Sequence, residues 1–152
     1  MTVITKNEAA NIERALTSVA WADEVIVVDA ESTDDTTRLA KRFTDRVFVR
    51  AWTGFVDQKN YAASLATNDW VLSMDADECV TPELAHSLQH TLSSPEAAAY
   101  RMPRVTQHLG RWIRTTDWYP DYQLRLYDRH RAAWTGGYVH EGVRVNLSLI
   151  HI

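Results

Sequence analysis

Several hallmarks of secreted, fibrous and membrane-embedded proteins are scarce in this sequence. Its 152 residues include a single cysteine, Cys79, together with five glycines and four prolines. One cysteine excludes an internal disulfide and is typical of a reducing compartment, and no segment has the low complexity of a disordered chain. No apolar run approaches the ~20 residues of a membrane span, and the N-terminus lacks the basic and apolar regions of a signal peptide. We therefore expect a single cytoplasmic domain over residues 1–152.

The charge distribution argues against a nucleic-acid-binding surface. The formal net charge is −4, with 16 acidic and 8 basic side chains in residues 1–100, and 4 acidic and 8 basic ones in residues 101–152. The basic residues of the second part are all arginines, and they are spread among Trp, Tyr and acidic residues, so no nucleic-acid partner is expected. Arginine suits phosphate groups on a donor or an acceptor, although any single one is more often an ordinary surface residue.

Apolar runs and helical patterns alternate along the chain. Buried strands are predicted at 3–4, 24–28, 46–50 and 70–74 with helices between them, followed by a helix over 81–93 and strands at 97–105 and 122–128. Asn7 is predicted to cap the first helix, and Thr81 the helix over 81–93. His86 and His90 face away from the leucines of that helix, and we interpret them as surface residues. The order predicts an α/β fold with a parallel sheet.

Polar residues gather where three of these strands end, at 5–8, 29–34 and 75–77. The carboxyl ends of parallel strands lie along one edge of the sheet, where open α/β sheets bind ligands. Asp75 and Asp77 are one residue apart, so an extended chain points both carboxylates the same way. Two such oxygen donors suit Mg²⁺ or Mn²⁺ with a bound diphosphate. The alternative interpretation is a strand that ends in a solvated acidic turn.

Three stretches resemble family 2 glycosyltransferases, namely VITKNEAANIE (3–13), VIVVDAESTDDT (25–36) and WVLSMDADE (70–78). Two more, WTGFVDQKNYA (52–62) and YVHE (138–141), are similar to the small bacterial branch that includes lipopolysaccharide-core β-glucosyltransferases. The resemblance covers almost the whole chain. It implies a GT-A fold with three α/β/α layers around a mostly parallel sheet. It also implies inverting transfer of a sugar from a nucleotide-sugar, such as a UDP-hexose, to a hydroxyl of a glycan or lipopolysaccharide-core acceptor.

The resemblance also implies roles in donor binding. Thr5, Asn7 and Glu8 would line the nucleotide pocket, Asp29 would hydrogen-bond the base, and Lys59 would approach the nucleotide or diphosphate. Glu31 and Asp35 depart from the family pattern, because glycine often stands at both positions, and extra negative charge near a diphosphate is unfavourable unless it points away.

Further implied roles concern the metal and the acceptor. Asp75 and Asp77 match the family's Asp-x-Asp, with Asp77 the direct ligand of Mg²⁺ or Mn²⁺ and Asp75 nearer the ribose. His140 would ligate the metal or contact the diphosphate. The acceptor hydroxyl must lose its proton, which requires a carboxylate general base. Glu141 is the first candidate for that base and Asp117 the alternative, and Arg125 matches a recurrent family arginine.

The segment 109–120 is rich in Trp, Tyr and Arg. Aromatic faces with arginines around them are common in carbohydrate-binding surfaces. The alternative is that Trp112 and Trp118 belong to the core.

We expect residues 1–95 to form the nucleotide-sugar-binding half and 96–152 an acceptor-side half that is incomplete. Members of this branch continue beyond His-Glu, often with basic amphipathic helices, so the full-length protein would associate peripherally with the inner face of the cytoplasmic membrane. Two other functions remain open. One is a nucleotide-sugar-binding fragment without turnover. The other is a nucleotidyltransferase, which requires a Gly-rich basic phosphate loop that Thr5–Glu8 does not provide.

Overall fold

The computed structural model describes residues 1–115, 118–136, 141–145 and 149–151. Strands and helices alternate over the first half, and strands dominate the second. The first half contains β1 (Thr2–Thr5), α1 (Ile12–Thr17), β2 (Ile26–Asp29), α2 (Thr36–Ala40), β3 (Val47–Val49), α3 (Phe55–Ser64), β4 (Trp70–Asp75) and α4 (Pro82–Ser93). The second half contains β5 (Ala99–Arg104), β6 (Thr106–His108), β7 (Arg111–Ile113), β8 (Asp121–Asp128), β9 (Ala132–Gly136), β10 (Glu141–Val145) and β11 (Leu149–His151).

Seven strands form the central sheet in the order β11-β5-β8-β4-β1-β2-β3. β8 runs antiparallel to both β4 and β5, and the other strands of the sheet run parallel to one another. The predicted α/β fold with a mostly parallel sheet is therefore confirmed. β9 and β10 pair as a separate hairpin, as do β6 and β7.

Alternating side chains of the central strands fill two cores, one on each face of the sheet. On one face, Val3, Val27 and Leu72 join a buried cluster with Leu16 of α1 and Leu88 of α4. On the other face, the buried cluster is formed by Ile4, Ile26, Val28, Val71, Ala62, Ala63, Tyr127 and Trp134. The second face is thus covered by α3 and the β9–β10 hairpin. Helices on both faces of the sheet confirm the predicted three-layer arrangement.

The helix predicted over 81–93 forms as α4. The Thr81 hydroxyl accepts a hydrogen bond from the Leu84 N–H at 3.2 Å, and Pro82 occupies the first turn. His86 and His90 are both exposed, as predicted. Within the described ranges, no helix combines the length and the apolar character that crossing a membrane requires.

The prediction that Asn7 caps the first helix is wrong. α1 begins only at Ile12, with Asn11 at the N-cap position. Asn7 instead adopts a left-handed backbone conformation with φ 54°. Its side-chain oxygen accepts a hydrogen bond from the Thr33 N–H at 2.8 Å. A tertiary partner in the loop after β2 therefore holds the side chain that would otherwise cap a helix.

Tyr127 and Trp134 join the sheet to the β9–β10 hairpin. The Trp134 indole N–H donates to the Tyr127 hydroxyl at 3.1 Å in a buried environment. The Asn60 side chain of α3 both donates to the Trp134 carbonyl at 2.9 Å and accepts from its N–H at 3.0 Å. Burial raises the pKa of Tyr127 to about 12, and the hydrogen bond from Trp134 offsets only part of that effect.

We expect this tyrosine to make the fold sensitive to alkaline pH. The pKa of Tyr127 in the folded protein is raised above the usual ~10. The contribution of Tyr127 to the free energy of unfolding is therefore fully present below pH 10 and is lost as the pH rises through about 12. The free energy of unfolding should fall by ~2–3 kcal/mol over this range. Urea denaturation at a series of pH values measures it. Tyr127→Phe should be ~1 kcal/mol less stable at neutral pH, because the Trp134 N–H loses its acceptor, but should lose less stability on alkalinisation.

Tyr119→Phe is the matched control, because Tyr119 is exposed. It should leave the alkaline decline unchanged. An identical decline in the unmodified protein and in Tyr127→Phe would contradict the assignment.

Candidate active site

The carboxyl ends of β1, β2 and β4 meet at one edge of the sheet. Thr5 pairs in register with Asp29, and Ile4 pairs with Asp75. The structure therefore brings together the three polar turns that the sequence places after these strands. A cleft of about 540 Å³ opens there, lined by Ile4, Thr5, Lys6, Glu8, Trp52, Phe55, Asp75, Ala76 and Asp77. Its volume is in the range of small-molecule sites.

Hydrogen bonds join the turn after β1 to the segment that follows β2. The Asn7 N–H donates to the Ser32 hydroxyl at 2.7 Å, and the Glu8 N–H donates to the Thr36 hydroxyl at 2.8 Å. Glu31, where the family often has glycine, adopts the left-handed conformation with φ 57° that glycine favours. Thr5, Lys6 and Glu8, which line the cleft, therefore belong to a turn that hydrogen bonds hold to the segment after β2.

The second departure from the family pattern, Asp35, faces Arg38. Its carboxylate accepts two hydrogen bonds from the Arg38 guanidinium, both at 2.9 Å, on the exposed surface of α2. The pair lowers the pKa of Asp35, through the hydrogen bond first and the charge of Arg38 second. Its negative charge is thus directed toward a cation of its own helix.

Asp29 is fully buried at the end of β2. Ser32 donates to both of its carboxylate oxygens, through the backbone N–H at 2.7 Å to Oδ2 and through the hydroxyl to Oδ1. Asp29 thereby shapes the turn that holds Asn7. Its contact with a nucleotide base stays a prediction.

Asp75 lies between two buried cations. Its Oδ1 is 3.2 Å from Lys59 Nζ, and its Oδ2 is 3.1 Å from Arg125 Nη2. Burial alone would raise the pKa of Asp75, but the charges of Arg125 and Lys59 outweigh it and hold the pKa below its ordinary value. Asp75 therefore remains ionised at neutral pH.

Glu78 completes this charge network. One carboxylate oxygen accepts from Arg125 at 2.7 Å, and the other accepts from the Asp75 N–H at 3.1 Å. Burial lowers the pKa of Arg125, but Glu78 and Asp75 together raise it above its ordinary value. Arg125, which the sequence marked only through the family resemblance, is thus the cation that orients both acidic side chains.

Lys59 connects this network to the β9–β10 hairpin. Its side chain is only 2% exposed, and its Nζ lies 3.7 Å from a carboxylate oxygen of Glu141. The ammonium also lies over the Trp134 ring, 4.3 Å from the centroid. One lysine of α3 thus brings the candidate base on β10 close to Asp75 at the end of β4.

Asp77 differs from Asp75 in its surroundings. Its side chain is exposed, and among the described residues its carboxylate makes no hydrogen bond or ion pair. No group of three or more His, Cys, Asp or Glu side chains suited to a metal occurs in the described part of the chain. Mg²⁺ is commonly bound through one or two carboxylates and substrate phosphates, so Asp77 together with a diphosphate fits such an ion. Asp75, with a cation at each oxygen, fits it less well.

Two of the sequence-predicted residues, Asp117 and His140, lie outside the described residues. Three others that contribute to the site were not predicted. Glu78 directly follows the Asp-x-Asp stretch, and a turn brings its side chain back to the Asp75 N–H. The sequence alone does not reveal that turn. Trp52, in the loop after β3, and Phe55, the first residue of α3, also line the cleft, in edge-to-face contact with ring centroids 4.7 Å apart. Their apolar side chains do not indicate in the sequence that they line a cleft.

A second cleft of about 520 Å³ lies on the other side of the Asp75–Glu78 turn. Asp75 and Asp77 line both clefts, and Arg104, Gln107, Trp112 and Gln123 belong to the second. Trp112 is 58% exposed and Trp118 is 52% exposed, so neither belongs to the core. Carboxylates that line two clefts can contact a ligand in each.

Comparison with known proteins identifies related sequences. A glycosyltransferase of Rickettsia felis described as uncharacterized is 48% identical over 99 residues, which are 64% of this chain and 35% of that protein. The lipopolysaccharide core biosynthesis glycosyltransferase LpsC of Rhizobium meliloti is 28% identical over 148 residues, which are 93% of this chain and 55% of that protein. The chain thus spans between about a third and about half of the length of these curated relatives.

Solved structures share the fold. The crystal structure of S. aureus TarS 1-349 matches with a TM-score of 0.63 and 20% identity, over 84% of this chain and 46% of that one. Glucosyl-3-phosphoglycerate synthase from Mycobacterium tuberculosis, in complex with Mn²⁺, UDP and glucosyl-3-phosphoglycerate, matches with a TM-score of 0.56 and 23% identity, over 66% of this chain and 42% of that one. These likenesses confirm the GT-A fold. The sequence from residue 2 to residue 146 matches Glycosyl transferase family 2, and the protein belongs to that family.

Proposed function

We propose that this chain carries the catalytic site of an inverting glycosyltransferase that transfers a hexose from a UDP-sugar to a hydroxyl of a glycan or lipopolysaccharide-core acceptor. The proposed site of action is the cytoplasm. Support comes from family membership, from the UDP and Mn²⁺ in the synthase complex, and from the relative LpsC. The observation that carries the proposal is the buried Lys59, which brings Glu141 close to Asp75, a residue that lines both clefts.

The donor would occupy the first cleft. The locked turn after β1 would present Thr5, Asn7 and Glu8 to the nucleotide, and Lys6 also lines the cleft. Asp77, exposed at the end of β4, would hold Mg²⁺ or Mn²⁺. Such an ion, when bound, supplies positive charge against the negative charge that grows on the leaving diphosphate.

The acceptor would approach from the second cleft, where Trp112 and Gln107 offer an aromatic ring and an amide to a sugar. Glu141 would remove the proton of the acceptor hydroxyl as its oxygen attacks the anomeric carbon, and the bond from that carbon to the diphosphate oxygen would break. One displacement of this kind inverts the anomeric centre. Asp117 remains the alternative base.

The metal role of Asp77 can be tested by calorimetry with UDP. If Asp77 holds the cation, Mn²⁺ should tighten UDP binding, and Asp77→Asn should weaken binding in Mn²⁺ by about tenfold, or ~1.4 kcal/mol. Binding without metal should change little. Asp69→Asn is the matched control, because Asp69 is an exposed carboxylate just before the opposite end of β4. Equal UDP affinity of the unmodified protein with and without Mn²⁺ would reject the metal role.

The role of Glu141 is tested by turnover. A general base acts in the transition state, so Glu141→Gln should lower kcat by ~10²–10⁴-fold and leave donor affinity nearly unchanged. Glu96→Gln, at an exposed acidic position, should retain full activity. The substitution that corresponds to Glu141→Gln should also be made in a full-length relative. If the variant binds donor poorly but turns over normally at saturation, Glu141 is a donor-site residue and Asp117 becomes the candidate base.

The same assays address the alternative of a binding fragment. If the unmodified chain binds UDP with metal dependence but shows no transfer and no donor hydrolysis, it is a nucleotide-sugar-binding unit without turnover. Transfer with Mn²⁺ would reject that alternative.

A further inference from the structure

The β6–β7 hairpin has an unusual residue at its turn. His108 pairs with Arg111, so Leu109 and Gly110 form a two-residue loop. Both have positive φ, 47° for Leu109 and 76° for Gly110, as in a type I′ turn. Asn-Gly is the preferred pair in such turns, whereas a bulky residue is strained in the left-handed region. Leucine is therefore an unfavourable choice for the turn itself.

That strained position presents an apolar side chain to solvent. Leu109 is 90% exposed, and Trp112 and Trp118 are more than half exposed. The centroid of the Trp118 ring lies 5.9 Å from that of the His108 ring, so Trp118 lies beside the hairpin. Tryptophans flanking an apolar tip have the composition of segments that lie at the boundary between lipid headgroups and acyl chains.

The charge of this region complements an anionic surface. Residues 101–114 include four arginines and no acidic residue, in a chain whose net charge is −4. Arg104 is engaged with Glu78 and Asp121. Arg111 and Arg114, on either side of the Trp112-Ile113 pair, are exposed and form no ion pair with any residue in the described part of the chain. Exposed arginines of this kind can contact anionic lipid headgroups.

We propose that the β6–β7 hairpin docks on an anionic lipid surface, with Leu109 inserted at the boundary of headgroups and acyl chains and Arg111 and Arg114 on the headgroup phosphates. Trp112 and Gln107 belong both to this hairpin and to the wall of the second cleft. Docking would therefore place that cleft at the level of the headgroups. No residue of the β6–β7 hairpin lines the donor cleft, and the proposal does not depend on sugar transfer.

Co-sedimentation with vesicles tests the proposal in the absence of nucleotide and metal. The unmodified chain should bind vesicles of mixed phosphatidylglycerol and phosphatidylcholine much more tightly than vesicles of phosphatidylcholine alone, and high salt should weaken the binding. Leu109→Asn should lower the partition coefficient by roughly tenfold, because it removes the inserted side chain. Arg111→Gln and Arg114→Gln should each lower it by roughly fivefold.

Leu109→Asn separates lipid binding from folding, because Asn-Gly suits the turn better than Leu-Gly. Its melting temperature should stay equal or rise while its vesicle binding falls. Val49→Thr is the matched control, since Val49 is 63% exposed on β3 at the opposite edge of the sheet. It should leave vesicle binding unchanged.

Three outcomes would overturn the proposal. One is the absence of vesicle binding, which would leave the hairpin to a protein partner or to another segment of a longer chain. Another is equal binding of the unmodified chain and Leu109→Asn. The third is a Leu109→Asn variant with unchanged vesicle binding and reduced transfer to a water-soluble acceptor, which would make the hairpin an acceptor contact. Loss of donor binding would bear on the proposed function alone, because the vesicle assay contains no donor.

Discussion

A buried lysine determines how the two parts of this chain meet. Lys59 is almost fully enclosed, and an unpaired ammonium in such a place would be strongly unfavourable. It is stabilised by Asp75 of β4, by Glu141 of β10 and by the face of Trp134. These partners come from widely separated positions in the sequence. All three contacts form together when α3, the end of β4 and the β9–β10 hairpin are in place, so the candidate catalytic site and the packing of the hairpin share this lysine.

The two aspartates of the Asp-x-Asp stretch have different surroundings for a related reason. Asp75 points into the protein, where Lys59 and Arg125 neutralise it, and Asp77 points to solvent between the two clefts. A carboxylate with a cation at each oxygen has few lone pairs left to bind a metal ion. An exposed carboxylate without such partners can offer both of its oxygens. The pair thus combines a structural charge with one that is open to a ligand, although the two residues are almost adjacent in sequence.

The sheet edge beside the first cleft owes its order to hydrogen bonds between turns. Asn7, Ser32, Thr33 and Thr36 tie the end of β1 to the loop after β2, and the buried Asp29 holds Ser32 in turn. Left-handed backbone at Asn7 and Glu31 is maintained by these contacts. Such a preorganised edge would bind a nucleotide without first ordering its loops, which lowers the entropic cost of binding.

The sequence by itself determined the α/β order of elements, the parallel strands, the helix that begins after Thr81 and the edge where Asp29 and Asp75 lie. Those features follow from hydrophobic period and capping chemistry, which are local. Tertiary structure decided the rest. Asn7 binds Thr33 in place of capping a helix, and the Glu78 carboxylate accepts a hydrogen bond from the Asp75 N–H. Trp112 and Trp118 are exposed. The fold also places Lys59 between Asp75 and Glu141. Each of these outcomes depends on partners far away in the chain, and periodicity and propensity carry no information about which distant residue will neutralise a charge or accept a hydrogen bond.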